Sequence, residues 1–282
     1  DHIGPAMSGG LSSFVFQSFF IGVLGYLNAI TAQHYGAGKP GEAVKYTVQG
    51  LYLALAFYPL ALLLIPAGNA VFHFSGHTAE QISLESSYFS LLMLGAGFVF
   101  IKCALGGYLL GMGKTRSVMV ANFAGMLINI PLNWIFIYGK FGCPAFGIAG
   151  AAYGTICGSL FIVLILFVFV LRDSNWRKEF RSEYLRFDPA HCRHLLKFGG
   201  PAGLENIISV FAFNFYLQFM HSYSPQVAAS VTIAFNYDLV AFIPLVGLGT
   251  SAMTMVGYQI GARDIVQAKK AVRLNLFFAY GY

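Results

Sequence analysis

Two carboxylates lie within stretches of this 282-residue chain that are otherwise almost wholly apolar. Asp238 stands six residues before Pro244, and Glu205 four residues after Pro201. An ionised carboxylate in such surroundings is costly, so it takes up a proton or pairs with a cation. Where the surroundings alternate between wet and dry, its proton affinity alternates too, which suits reversible exchange of a proton or small cation. Three amides form a second constellation. Asn122, Asn129 and Asn133 are spaced by 7 and 4 residues and share one helical face. That face is unsuited to lipid and belongs against the bundle interior or a wet cavity. Pro131, on the same segment, leaves the carbonyl of Leu127 without its donor and predicts a kink there; Pro244 is read as a second kink. Plainer roles exist for each group: Glu205 solvated at an interface near Lys197, and the amides simply tying helices together.

Other groups carry weaker signals. His73 and His77 are four apart, a spacing that suits a metal on a helix, but they flank a Ser-Gly pair and read as loop residues. His191, Cys192 and His194 read as part of a basic interfacial linker rather than a metal site. Cys103, Cys143, Cys157 and Cys192 form no CxxC pair, so neither a disulfide nor a metal centre is expected. Glu80 and Glu85 are expected at the outer surface, opening a helix whose N-terminus favours anions. No nucleophile elbow, P-loop or dinucleotide fingerprint occurs. The chain therefore reads as a non-enzyme without a cofactor, and its opening Asp1-His2-Ile3-Gly4-Pro5 is not that of a cleavable leader.

The elements that must position these residues follow from composition. The chain is 57% hydrophobic and 10% charged, against about 25% charged in soluble domains. Its apolar runs define helices A (about 6–35), B (about 43–66), C (about 84–111), D (about 116–139), E (about 147–172), F (about 198–221), G (about 226–257) and H (from about 265). Most reach the roughly 20 residues that a membrane span needs. The expected fold class is all-α, a polytopic membrane protein of about eight transmembrane helices. Fifteen of the 17 basic residues fall in alternate connections, leaving only Lys102 and Lys140 elsewhere. Segments 36–45, 112–116, 173–197 and 258–270 are thus expected on the cytoplasmic side of the cell membrane. With the basic charge so explained, no nucleic-acid partner is expected. The charged stretch 173–196 repeats Trp176, Phe180, Tyr184 and Leu185 at helical spacing, and reads as a linker helix lying at the interface.

A repeat organises the helices. Gly36, Ala37, Ala43 and Lys45 recur as Gly261, Ala262, Ala268 and Lys270, all at an offset of 225, and Gly22 and Gly247 keep the same offset. Six helices lie between the two signatures, so both units run in the same direction, as in a transporter built from parallel repeats. On that offset two complete units need about 450 residues. The expected division is 1–172, a first lobe lacking its first helix; 173–196, the linker; and 197–282, the start of a second lobe.

The segment 129–155, NIPLNWIFIYGKFGCPAFGIAGAAYGT, closely resembles the multidrug and toxic compound extrusion (MATE) family. The resemblance extends through the Gly-Ala signatures, GYLLGMGKTR at 107–116, GGPAGLEN at 199–206 and AFIPLVGLGTSAMTMVGYQIGA at 241–262. It implies a twelve-helix fold of two six-helix lobes, of which helix A is the second and helix H the ninth. It implies antiport: export of cationic or amphipathic drugs in exchange for protons or sodium ions, coupled through intramembrane carboxylates, here Asp238 and Glu205. Many members carry an acid eight residues after the proline of helix F. That position is Ser209, one turn beyond Glu205, and Ser209 joins Asn122, Asn129 and Asn133 as a cavity residue. Asn129 and Asn133 match the family's amides near a first-lobe cation site, whose Asp-bearing helix has no counterpart in this sequence. Two rival readings are a lipid-linked sugar flippase of the same superfamily, which predicts a more cationic cavity, and a non-transporting membrane fragment.

Overall fold

The computed structural model describes residues 3–73, 78–221, 223 and 225–282, and the described residues form helices and connecting turns without a strand. Helix A is α1 (Ile3–Gly25) and α2 (Leu27–Gly36), interrupted at Tyr26. Helix B is α3 (Pro40–Leu63) continued by α4 (Ile65–His73). Helix C is α5 (Ala79–Leu94) and α6 (Ala96–Gly111), bent by 42° at Gly95. Then come α7 (Thr115–Tyr138), α8 (Ile148–Arg172), the short α9 (Ser174–Glu179), α10 (Pro189–His221), α11 (Pro225–Gly261) and α12 (Ile265–Gly281). Among the described residues five of these rods are long and apolar enough to cross a membrane, six with the bent pair. Neither Pro131 nor Pro244 interrupts its helix.

Three turns at one end of the bundle are built alike. After α2, Gly38 N–H donates to Tyr35 O (3.0 Å) and Lys39 N–H to His34 O (2.9 Å). After α6, Gly113 donates to Leu110 O and Lys114 to Leu109 O; after α11, Arg263 donates to Ile260 O and Asp264 to Gln259 O. This pair of bonds is the Schellman closure, which needs a left-handed residue just past the helix. Gly38, Gly113 and Arg263 fill that position with φ of 70°, 73° and 60°. The turn at Gly113 is a third copy of the motif that the sequence repeat shows only twice.

The linker differs from expectation. It is α9, a 3-10 turn at Ser182–Leu185 and an early start of α10, rather than one interfacial helix. Trp176 is buried, stacked on Phe180 and edge-on to Tyr108. Gln49 of α3 donates to the carbonyls of Tyr184 and Arg186 and accepts from the N–H of Asp188. The linker is docked on α3 at the basic end.

The two lobes meet through glycines. α1 packs along α10, where a Cβ at Gly22 would lie 2.7 Å from Gly203 Cα and one at Gly203 would lie 2.6 Å from Phe19 O. α2 crosses α11 at the two repeat signatures. A Cβ at Gly36 would lie 2.0 Å from Tyr258 O, and one at Gly261 would lie 1.9 Å from Gln33 O. Gln33 and Tyr258 are themselves related by the offset of 225. Each copy therefore gives the other the same contact it receives, as a local two-fold axis requires. Gly247, by contrast, has open space where Gly22 is crowded. Within the first lobe, Gly107 and Gly111 of α6 close on Leu27 and Thr31 of α2, the close approach expected of that GxxxG pair. Glu85 corrects another expectation: it is fully buried in α5, its carbonyl against Gly9 of α1, not at the outer surface. His73 ends α4, and His77 lies outside the described residues.

Candidate functional site

A cavity of about 610 Å³ opens between the lobes. α1, α2, α6, α7 and α8 wall it on one side, and α10 and α11 on the other. Its volume lies within the roughly 300–1,000 Å³ of small-molecule sites. Asn122, Glu205 and Ser209 of the sequence-predicted set line it. α10 brings Glu205 and Ser209 to it together because they are one turn apart on one face. Asn122 lines it from α7, and its Nδ2 donates to Val118 O of its own helix (2.9 Å).

Asn129 and Asn133 do not reach the cavity. They face α8, where glycines at 150, 154 and 158 make a smooth strip. Asn133 Nδ2 donates to Asn129 Oδ1 at 3.0 Å, and Asn133 Oδ1 occupies the space a Cβ on Gly154 would fill. The two side chains pack α7 on α8, while the bond between them stays within α7. Asp238 is also apart. It is exposed on α11, eight residues before Val246, where the lining begins. At about 1.5 Å per residue, that is about 12 Å along the helix. The structure does not bring Asp238 and Glu205 into one site.

The cavity holds groups that periodicity did not single out. Lys102 lines it from α6, and Asn28, Asn206 and Thr250 also face it. Asn28 Oδ1 accepts from Thr254 Oγ1 (2.9 Å), a side-chain bond between lobes, and Asn206 Nδ2 donates to Ser18 O (2.6 Å). The available signal for Lys102 was its place in the sequence, a basic residue inside an apolar run.

The basic end is held by ion pairs. Lys114 pairs with Asp173, a buried carboxylate that also accepts from Tyr108 OH (2.7 Å) and Asn175 N–H (3.1 Å). Lys45 pairs with Asp188 at 2.8 Å. Lys45's hydrogen bond, joined by the Ala190 N–H and the His191 charge, outweighs desolvation and holds the Asp188 carboxyl down to about 2. His191 places Nδ1 2.8 Å from Asp188 and Nε2 3.2 Å from Glu42, and His194 Nδ1 lies 3.2 Å from Tyr46 OH. Cys192 is buried against Gln49. These contacts turn the histidines toward carboxylates and a phenol, not toward a shared centre.

The pattern of residues that defines the MatE family matches this chain over 6–135 and 201–282. The chain belongs to the MatE family. Curated members similar to it include multidrug resistance protein MdtK of Photorhabdus laumondii, 31% identical over 93% of this chain and 58% of that protein. Multidrug resistance protein NorM of Vibrio cholerae is 26% identical over 92% of this chain and 57% of that protein. The chain thus spans a little over half the length of these MatE relatives. Among solved structures, an outward-facing multidrug resistance MATE family transporter superposes with TM-score 0.85 at 22% identity, covering 99% of this chain and 62% of the other. A MOP superfamily transporter from Pyrococcus furiosus gives 0.83 at 22% identity, over 99% and 61%. The all-α membrane fold inferred from the apolar runs is the fold of these transporters.

Proposed function

We propose that this chain forms the cargo-binding part of an efflux transporter that moves cationic or amphipathic small molecules across the cell membrane. The observation that carries the proposal is the cavity between the lobes with Glu205 in its wall. The drug-resistance names of the MatE relatives support the same reading. Glu205 is a carboxylate that an organic cation and a proton, or a sodium ion, would contend for. Ionised, it attracts the cargo; neutralised, it releases it. That competition is the minimum chemistry of an antiporter. Lobes rocking about the glycine crossing would alternate access. With the basic end read as cytoplasmic, the α2–α11 crossing shuts the cytoplasmic side and the cavity opens outward. Asp238 is a second coupling site in this scheme, acting separately from the cavity.

Dye efflux from cells carrying the gene tests this. Glu205→Gln is expected to reduce gradient-driven efflux at least about tenfold, because no charge is left to exchange. Undiminished efflux in that variant would remove Glu205 from the mechanism, and undiminished efflux in Asp238→Asn would do the same for Asp238.

A further inference from the structure

We propose that Lys102 reads an anionic group on the cargo, so that the cavity selects amphipathic zwitterions over simple organic cations of the same body. This rests on the cavity being the cargo site.

Lys102 and Glu205 are the basic and acidic side chains lining the cavity. They stand on opposite walls: Lys102 midway along α6 of the first lobe, Glu205 on α10 of the second. Among the described residues the ion pairs lie elsewhere, at Lys45, Lys114 and His191. The two charges therefore face one cavity without closing on each other. An ammonium at mid-helix in a membrane is costly, and is kept where water or a counter-charge compensates it. The neighbours of Lys102 one turn away on α6 are Phe98, Val99, Leu105 and Gly106, none of which can compensate it. Across the cavity, Glu205 is the acidic side chain that shares the space with it.

A simple organic cation in this space meets Glu205 with attraction and Lys102 with repulsion. A zwitterion satisfies both. Its anionic group lies toward the first lobe and its cationic group toward the second, with the bulk of the molecule on the small-residue floor of Gly22, Gly25, Gly106 and Gly107. Charges of like sign held several ångströms apart in a partly wet cavity differ enough in energy to separate the two cargo types by about tenfold.

Tetramethylrhodamine and its methyl ester test this, since they share one body and differ by a carboxylate. Their binding is followed by fluorescence anisotropy with the purified protein in lipid nanodiscs. The free acid is expected to bind about tenfold tighter than the ester. Lys102→Met should bring the free acid to the ester's level while the ester binds as well or better, which also shows that the variant is folded. Lys102→Arg should keep the preference, and Glu205→Gln should weaken both dyes. Equal binding of the two dyes to the unaltered protein, or a preference that survives Lys102→Met, overturns the role of Lys102. Binding of neither dye overturns the cargo-cavity reading beneath it.

Discussion

Arg263 occupies the left-handed position that Gly38 and Gly113 hold in the sister turns. A side chain there brings Cβ against a backbone oxygen at about 1–2 kcal/mol, which a glycine avoids. Arg263→Gly is expected to raise stability by about 1 kcal/mol, read as a higher midpoint in thermal unfolding of the detergent-solubilised protein. Asp188 gives a pH-dependent counterpart. Its folded-state carboxyl is held to about 2 from an ordinary 3.8. A depressed carboxyl stabilises the fold above its unfolded value, and that contribution is lost as pH falls through the folded one. Asp188→Asn should therefore be less stable than the natural protein at neutral pH, with the gap closing between 3.8 and about 2. A gap that persists in acid would assign the effect to packing. The amides show how far residue chemistry could be read from sequence. Their shared face was visible; which neighbour that face meets was not. Asn129 and Asn133 turn to the glycines of α8, and only Asn122, two turns earlier, turns to the cavity.

At the scale of elements, every helical rod was legible from the apolar runs, and the linker was not. Its aromatic residues recur at helical spacing, yet Asp173 caps α9 and the backbone is extended at Phe180, Arg181 and Arg186. Tertiary partners decide this: Gln49 takes the carbonyls of Tyr184 and Arg186, and Trp176 packs on Tyr108. A local pattern cannot carry bonds formed with a helix more than 130 residues earlier. The pair of Lys114 and Asp173 fastens the start of that linker to the α6–α7 turn. Lys114→Met leaves the Asp173 carboxylate buried without its cation, and should cost about 2–3 kcal/mol. The double variant Lys114→Met with Asp173→Asn should cost less than the sum of the two single changes, because both remove one interaction. Simple additivity in denaturation would show that the pair is not a unit.

At the scale of the molecule, the offset of 225 residues announced two parallel units, and the structure gives that number a physical meaning. Gly36 and Gly261 exchange equivalent contacts across the lobe boundary. The cavity was not legible, because it belongs to no single element; it is the space enclosed by α6 and α7 on one side and α11 on the other, beside the line where α1 packs along α10. Gly36→Ala and Gly261→Ala should each destabilise by about 1–3 kcal/mol, as overpacking does. Combined, they should cost well under the sum, since either methyl already forces the same two backbones apart. Independent, additive losses in thermal unfolding would argue against a single shared contact.

That contact also has a mechanical reading. Where two rods touch backbone to backbone, relative motion is smallest, and it grows with distance along each rod. Gly249, on the cavity wall of α11, is twelve residues from Gly261, about 18 Å at 1.5 Å per residue. A tilt of about 10° about the crossing would separate the walls there by about 3 Å. Under the proposed rocking the paired glycines would be a fulcrum, with the α11 wall of the cavity far enough along the lever for a small rotation to admit or release a ring-sized molecule.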